Sequence, residues 1–152
     1  MDRQLIFTNT LEHLRHQGHR SVMGGYLHYG SINTNCVYEA ANGDRCAVGV
    51  HLESGKLEGI EGMSVGMAYK FHPELFAHLG IETKDDIDFL TQLQTAHDCE
   101  LVRDGLMKFW ELRMEKLAHQ HGLVYTPPQA VATGLPKEVA DILSTAPELV
   151  ME

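Results

Sequence analysis

One stretch, Cys36-Val-Tyr-Glu-Ala-Ala-Asn-Gly-Asp-Arg-Cys-Ala-Val-Gly-Val50, constrains the fold more than any other part of the chain. Asn42-Gly43 lies between two β-compatible runs, and both residues tolerate the positive φ that a tight hairpin turn demands. Two registers compete. A two-residue loop would send Cys36 and Cys46 to opposite faces. A three-residue loop, Ala41-Asn42-Gly43, puts Cys36, Tyr38, Cys46, Val48 and Val50 on one face and sets Glu39 opposite Arg45, a favourable cross-strand pair. The three-residue loop separates an apolar face from a polar one more cleanly, so it is the register expected. Two strands alone are marginal in water, so the ribbon must gain a third strand or lie on helices. Ala47 and Gly49 leave room on its other face for a helix or a ligand.

The rest of the chain reads as helix or loop. A first helix is expected from about Asp2 to Gln17, with Phe7, Leu11 and Leu14 on one stripe and Gly18 as its stop. His13, His16 and His19 are read as solvated surface residues. Residues 20–35 and the glycine-rich 51–66 read as loops, without either glycine pattern that cradles phosphate. A short helix is expected over Pro73–His78, ended by Gly80. A third runs from Lys84 or Asp85 to His97, its apolar stripe formed by Ile87, Leu90 and Leu93. Asp85, Asp86 and Asp88 suit the start of that helix, where acids complement the helix dipole. A fourth helix is expected over Glu100–His121, with Leu106, Phe109, Trp110 and Leu117 inward and Gly122 as its stop. Gly105 and Asp104 offer a later start. Pro127-Pro128 then breaks the chain. The expected architecture is α+β: a mainly helical single domain over 1–126 with one β-hairpin at about 36–50 packed on helices, and a C-terminal extension over 127–152 with a short helix at Pro136–Leu143.

Composition narrows the function classes. In 152 residues there are 12 basic and 21 acidic side chains, a net charge of −9. That balance disfavours nucleic-acid backbone binding and suits a protein that meets a basic partner surface. No apolar run approaches the ~20 residues of a membrane span, and the N-terminus lacks a signal peptide's apolar core. Three cysteines, an odd number, point to a reducing cytoplasm and not to a disulfide framework.

Three constellations carry candidate chemistry. Cys36 and Cys46, with a histidine such as His51 and a distant Cys99, could hold zinc, although their spacing lacks the short knuckle of zinc sites. The alternative is that both cysteines are small buried hydrophobes. Cys46 activated by His97 is a second candidate, as a thiolate nucleophile. It lacks an orienting acid, because Asp98 diverges from His97 on a helix. His97-Asp98 itself matches the paired ligands of HD-type metal phosphohydrolases, with His72 or His78 and Asp141 as the remaining nominees. Against it stands a capping Asp98 and a hydrogen-bonded core His97.

Taken in order, His13-Leu-Arg-His-Gln-Gly18 with Ser21, Cys36-Val-Tyr38, Asn42-Gly43, Cys46-Ala-Val-Gly49 and Leu90-Thr-Gln-Leu-Gln-Thr-Ala-His-Asp98 resemble a family of small phage and prophage proteins. The resemblance covers roughly residues 10–125. Relatives tend to carry a third cysteine and a Leu-Ile-Pro-Asp run where Val50-His51-Leu52-Glu53 stand here, which weakens a metal reading that needs position 50. The Tyr26–Asn35 loop also looks longer than theirs. What the resemblance implies is a phage-encoded accessory protein, in the host cytoplasm, and no mechanism. The leading expectation is therefore a non-enzymatic protein that binds a host or phage macromolecule, most naturally a protein, with a second copy of the chain as another partner. The alternatives are a metal-dependent hydrolase using His97 and Asp98 and a zinc-stabilised binding module using Cys36 and Cys46. Candidate functional residues are Cys36, Tyr38, Cys46, Gly49, His97 and Asp98.

Overall fold

The structure, a computed structural model, describes residues 1–21, 37–98 and 107–128; the side chains of Asp98, Met107, Lys108 and Phe109 are outside that description. Cys36, Cys99, the Tyr26–Asn35 loop, the stretch 99–106 with Asp104 and Gly105, and the tail helix expected at Pro136–Leu143 all lie outside the described residues.

Four α-helices make up the described fold: α1 (Arg3–Gln17), α2 (Val65–Phe71), α3 (Lys84–Asp98) and α4 (Met107–Gln120). Local chemistry sets several of their ends. Asp2 caps α1 by accepting the Leu5 N–H at 3.0 Å, and left-handed Gly18 closes it by donating to the Leu14 carbonyl. At the start of α3, Thr83 and Asp86 form a reciprocal capping box. The Asp86 N–H donates to Thr83 Oγ1 at 3.4 Å, and Asp86 Oδ2 accepts the Thr83 N–H at 3.3 Å. α4 ends in a Schellman motif, with Leu123 N–H on the Ala118 carbonyl, Gly122 N–H on that of His119, and Gly122 at φ 66°. Between α2 and α3, the expected short helix is two 3-10 turns, Pro73–Leu75 and Ala77–Leu79, ended by left-handed Gly80.

The core joins all four helices. α3 packs against both α2 and α4, and Trp110, Phe7, Phe76, Phe89, Leu14, Leu57, Ile60, Leu90, Leu93 and Met114 are fully buried among them. Of the core residues expected from sequence, Phe7, Leu11, Leu14, Tyr38, Val48, Leu90, Leu93, Trp110 and Leu117 are buried and Ile87 is partly buried. Phe109 falls among the side chains outside the description.

The expected β-hairpin is not formed, and the α+β class falls with it: the described fold is helical, and its one β element is an isolated bridge between Glu39 and Arg45. The turn has the expected three-residue form. Gly43 stands at φ 94° and donates to the Ala40 carbonyl, while Ala40 N–H donates to the Asp44 carbonyl. Pairing stops one step further out, where Cys46 N–H donates to the Tyr38 carbonyl at 3.2 Å. Beyond it the backbone finds other partners. Tyr38 and Glu39 both give their N–H groups to the Glu61 carboxylate, at 2.7 and 3.1 Å. Val48 gives its own to Gln94 Oε1, and Gly49 donates to Cys46 Sγ. The second arm then winds into a 3-10 turn, Gly49–His51. Strand propensity in Val48 and Val50 is overridden because side chains from α3 and from the loop before α2 satisfy the donors that a ladder would have used.

Candidate functional site

The segment from Val37 to Leu52 is a hub gripped from three sides, and three of the six candidate functional residues belong to it. Gln17, the last residue of α1, holds Arg45 as a neighbouring strand would. Its Oε1 accepts the Arg45 N–H at 2.8 Å and its Nε2 donates to the Arg45 carbonyl at 3.0 Å. Glu61 and Gln94 grip the hub from the other sides. Gly49 is fixed by contact: a Cβ there would lie 2.0 Å from the Tyr38 carbonyl oxygen. Tyr38 is buried, and its hydroxyl donates to the Met63 carbonyl at 2.8 Å. Cys46 has no exposed surface, and its Sγ accepts the Gly49 N–H at 3.2 Å. These three are structural members of the hub.

The chemical readings fare differently. A thiol with no exposed surface gives a substrate no approach, so the Cys46 nucleophile is set aside. His97 is 2% exposed and meets the Trp110 ring edge-on at 6.2 Å between centroids. Of its nominated co-ligands, His72 sits 3.4 Å from Glu74 and His78 donates to the His51 carbonyl at 2.6 Å. Asp141 and the Asp98 side chain lie outside the description. Among the described residues, no three His, Cys, Asp or Glu side chains gather closely enough to hold a metal ion. For the zinc reading, His51 Nε2 is engaged by Thr10 at 2.7 Å, and Cys36 lies outside the description.

The histidines at 13, 16 and 19 correct another expectation. His16 is exposed, but His13 hydrogen-bonds Gln17 at 3.1 Å and His19 donates to Asp44 at 2.7 Å. Burial lowers the His13 pKa below its usual value, and the positive neighbour Arg45 adds to that against the bond to Gln17.

Among the described residues, two clefts and one helix face stand open. A cleft of about 290 Å³ lies at the start of α2 between Tyr38, Met63, Ser64 and the α3 residues Thr91, Gln94 and Thr95. The other, about 460 Å³, is lined by Glu39, Ser54, Leu57, Glu58 and Glu61. Hydrogen bonds from Ser54 and the Gly55 N–H hold the Glu39 pKa below the ordinary carboxylate value, so this cleft is acidic at neutral pH. α2 buries Val65 and Ala68 and turns Met67 and Phe71 outward, 49% and 56% exposed, one turn apart. Lys70 Nζ lies 5.6 Å from the centre of the Phe71 ring. The helix end adjoins the acidic region, since a Cβ on Gly59 would come 3.9 Å from the His72 ring.

Sequence reasoning missed α2, and with it this face. The available signal was Ser64, whose hydroxyl accepts the Met67 N–H as an N-cap. Glycines at 59, 62 and 66 masked it. Among the described residues, no helix is long and apolar enough to cross a membrane. Comparison with family models, with curated proteins and with solved structures gives no match to this chain.

Proposed function

We propose that this chain is a non-enzymatic accessory protein that works by binding another protein through the outer face of α2. The observation that carries this reading is the exposed Met67–Phe71 pair on a helix whose opposite face is buried in the core. Large apolar side chains held outward on a rigid element are what a partner's apolar anchor needs. The net charge of −9 and the acidic cleft near the end of α2 favour a partner with basic residues around that anchor. The resemblance of its motif order to that of small phage proteins favours a partner drawn from the phage or its host. The metal-dependent hydrolase is the weaker reading, because His97 lies in the core against Trp110.

The test compares the wild type with the double variant Met67→Ser, Phe71→Ser in capture from a host lysate, followed by binding titration of the captured protein. Both positions are exposed, so the variant is expected to keep its melting temperature within a few degrees. A basic protein held stoichiometrically by the wild type and at least tenfold more weakly by the variant is the expected result. Equal binding by both chains overturns the site. Metal-dependent phosphatase activity lost in His97→Ala overturns the non-enzymatic reading.

A further inference from the structure

Asn42-Gly43 serves the hub as a turn, but its hydrogen bonds do more than shape the chain. Both residues are exposed. One residue, Asp44, engages the Asn42 side-chain amide at both ends. Asn42 Oδ1 accepts the Asp44 N–H at 3.0 Å, and Asn42 Nδ2 donates to Asp44 Oδ2 at 3.1 Å. His19 Nε2 donates to that same carboxylate oxygen at 2.7 Å, which fixes the acid from beyond the end of α1. Directly after the amide comes Gly43, at φ 94°, with nothing within 4 Å of the place a Cβ would take. Its peptide nitrogen is therefore screened by no side chain of its own.

These are the parts of an intramolecular acyl transfer: a polarised carbonyl, an acid–base group beside the leaving nitrogen, and an unhindered nucleophile on the next residue. The Asp44 N–H aimed at Oδ1 supports the negative charge that builds there as the amide carbon becomes tetrahedral. One bond stands against the reaction, because the Gly43 N–H donates to the Ala40 carbonyl at 2.9 Å. That bond lies in an exposed turn, where holding it closed lowers the reactive population by up to about tenfold. An oxyanion donor in a closed site accelerates acyl transfer by about a hundredfold or more. With much of that factor lost to solvent, the donor and Asp44 together still outweigh the single bond.

We propose that Asn42 is a self-modification site, which the fold converts to aspartate and isoaspartate through a cyclic imide. The Gly43 nitrogen bonds to Asn42 Cγ, the Cγ–Nδ2 bond breaks, and Nδ2 leaves as ammonia. The proton lost by the Gly43 nitrogen ends on the departing nitrogen, and Asp44 Oδ2, in contact with that nitrogen, hands it on. Water then opens the imide at either carbonyl, so one water enters and one ammonia leaves. Either product changes the hub. A carboxylate replaces the amide that faced Asp44, which sets like charges where a hydrogen bond had been. Isoaspartate also adds a carbon to the main chain between the Cα of residue 42 and the Gly43 nitrogen, and so breaks the register of the turn. Ala40, Ala41 and Gly43 of that turn line the acidic cleft, so the change reaches its wall.

Peptide mass mapping of the full chain tests the proposal, after incubation folded in neutral buffer and unfolded in guanidinium at the same pH and temperature. The expected result is conversion of Asn42 about tenfold faster in the folded chain than in the unfolded one, with both products present. Asn9 is the internal control: it is exposed too, but it lies within α1 and precedes the β-branched Thr10, so it should stay intact. Asp44→Asn keeps the size of the side chain and removes the carboxylate that relays the proton. Its folded rate at Asn42 should fall to that of the unfolded wild type or below. Conversion no faster in the folded wild type than in the unfolded chain overturns the proposal, and so does an Asp44→Asn rate equal to the wild type. Should that variant fail to fold, the wild-type comparison decides alone.

Discussion

At the scale of single residues, two glycines that look alike in the sequence have opposite meanings. Gly49 occupies a place where the Tyr38 backbone passes too close for any side chain. Gly49→Ala is expected to lose about 3 kcal/mol or more, because the clash is with backbone that cannot rotate away. Gly66 lies in the exposed part of α2, and a methyl group added there would meet nothing within 4 Å. Gly66→Ala should gain roughly 0.5–1 kcal/mol from helix propensity alone. Urea unfolding of the two variants checks both signs. The sequence suggested Gly49 as a point of close approach by a helix or a ligand; the approach is real, but the group that makes it is the Tyr38 backbone, neither a helix nor a ligand. Nothing local to the sequence could identify Tyr38 as that group, since the contact depends on how the chain returns across the turn.

At the scale of elements, α1, α3 and the stop of α4 were readable because their signals are local. Apolar residues recur with the helical period, Asp2 and Thr83 cap, and Gly18 and Gly122 take the left-handed conformation. The hub was not readable in the same way. Its turn obeys local chemistry, but whether the arms extend into strands depends on what meets their N–H groups. Here those partners are Gln17, Glu61 and Gln94, which lie far away in sequence. Glutamine holding a backbone peptide through both its amide atoms recurs on α1, where Gln4 pairs with the N–H and carbonyl of Val124 at 2.8 and 3.1 Å. Gln17→Leu would strand the Arg45 N–H and carbonyl and remove the partner of His13. It is expected to cost about 1–3 kcal/mol. The loss should appear in amide exchange as lower protection of Arg45 and Cys46, with α3 unaffected; uniform loss across the chain would contradict a local role for the clamp.

At the scale of the whole molecule, the titrating groups with lowered pKa values act together as the pH falls. His51, His13 and His121 all prefer the neutral form when folded. The unfolded chain binds their protons first, so stability declines as the pH drops through 6.5 toward 4. His51 alone accounts for up to about 3 kcal/mol of that decline, from its shift to about 4. Asp86 works at lower pH. The Glu82 N–H, with Arg3 and the Thr83 N–H, holds its carboxylate below the usual value, and its stabilisation is lost as the pH falls through that lowered range. Urea midpoints at pH 7.5, 5.5 and 4 should therefore fall steadily, and His51→Gln should flatten the slope over the whole of that range. An unchanged midpoint between pH 7.5 and 5.5 in the wild type would count against the neutral histidines.

The ties of α1 to the far end of the described chain have a consequence for synthesis. Arg15 forms a two-point ion pair with buried Glu111 at 2.7 and 2.9 Å, and the same guanidinium donates to the Thr126 carbonyl. Tyr125 closes the group by donating to Glu111 at 2.6 Å. Gln4 waits for Val124, 120 residues later. On a ribosome adding ~5–20 residues per second, the first helix emerges on the order of 10 s before its last partners exist. Of the described helices, α1 is made before the others yet gains its last partners only with Val124–Thr126, and until then its apolar stripe of Phe7, Leu11 and Leu14 is open to whatever binds nascent chains.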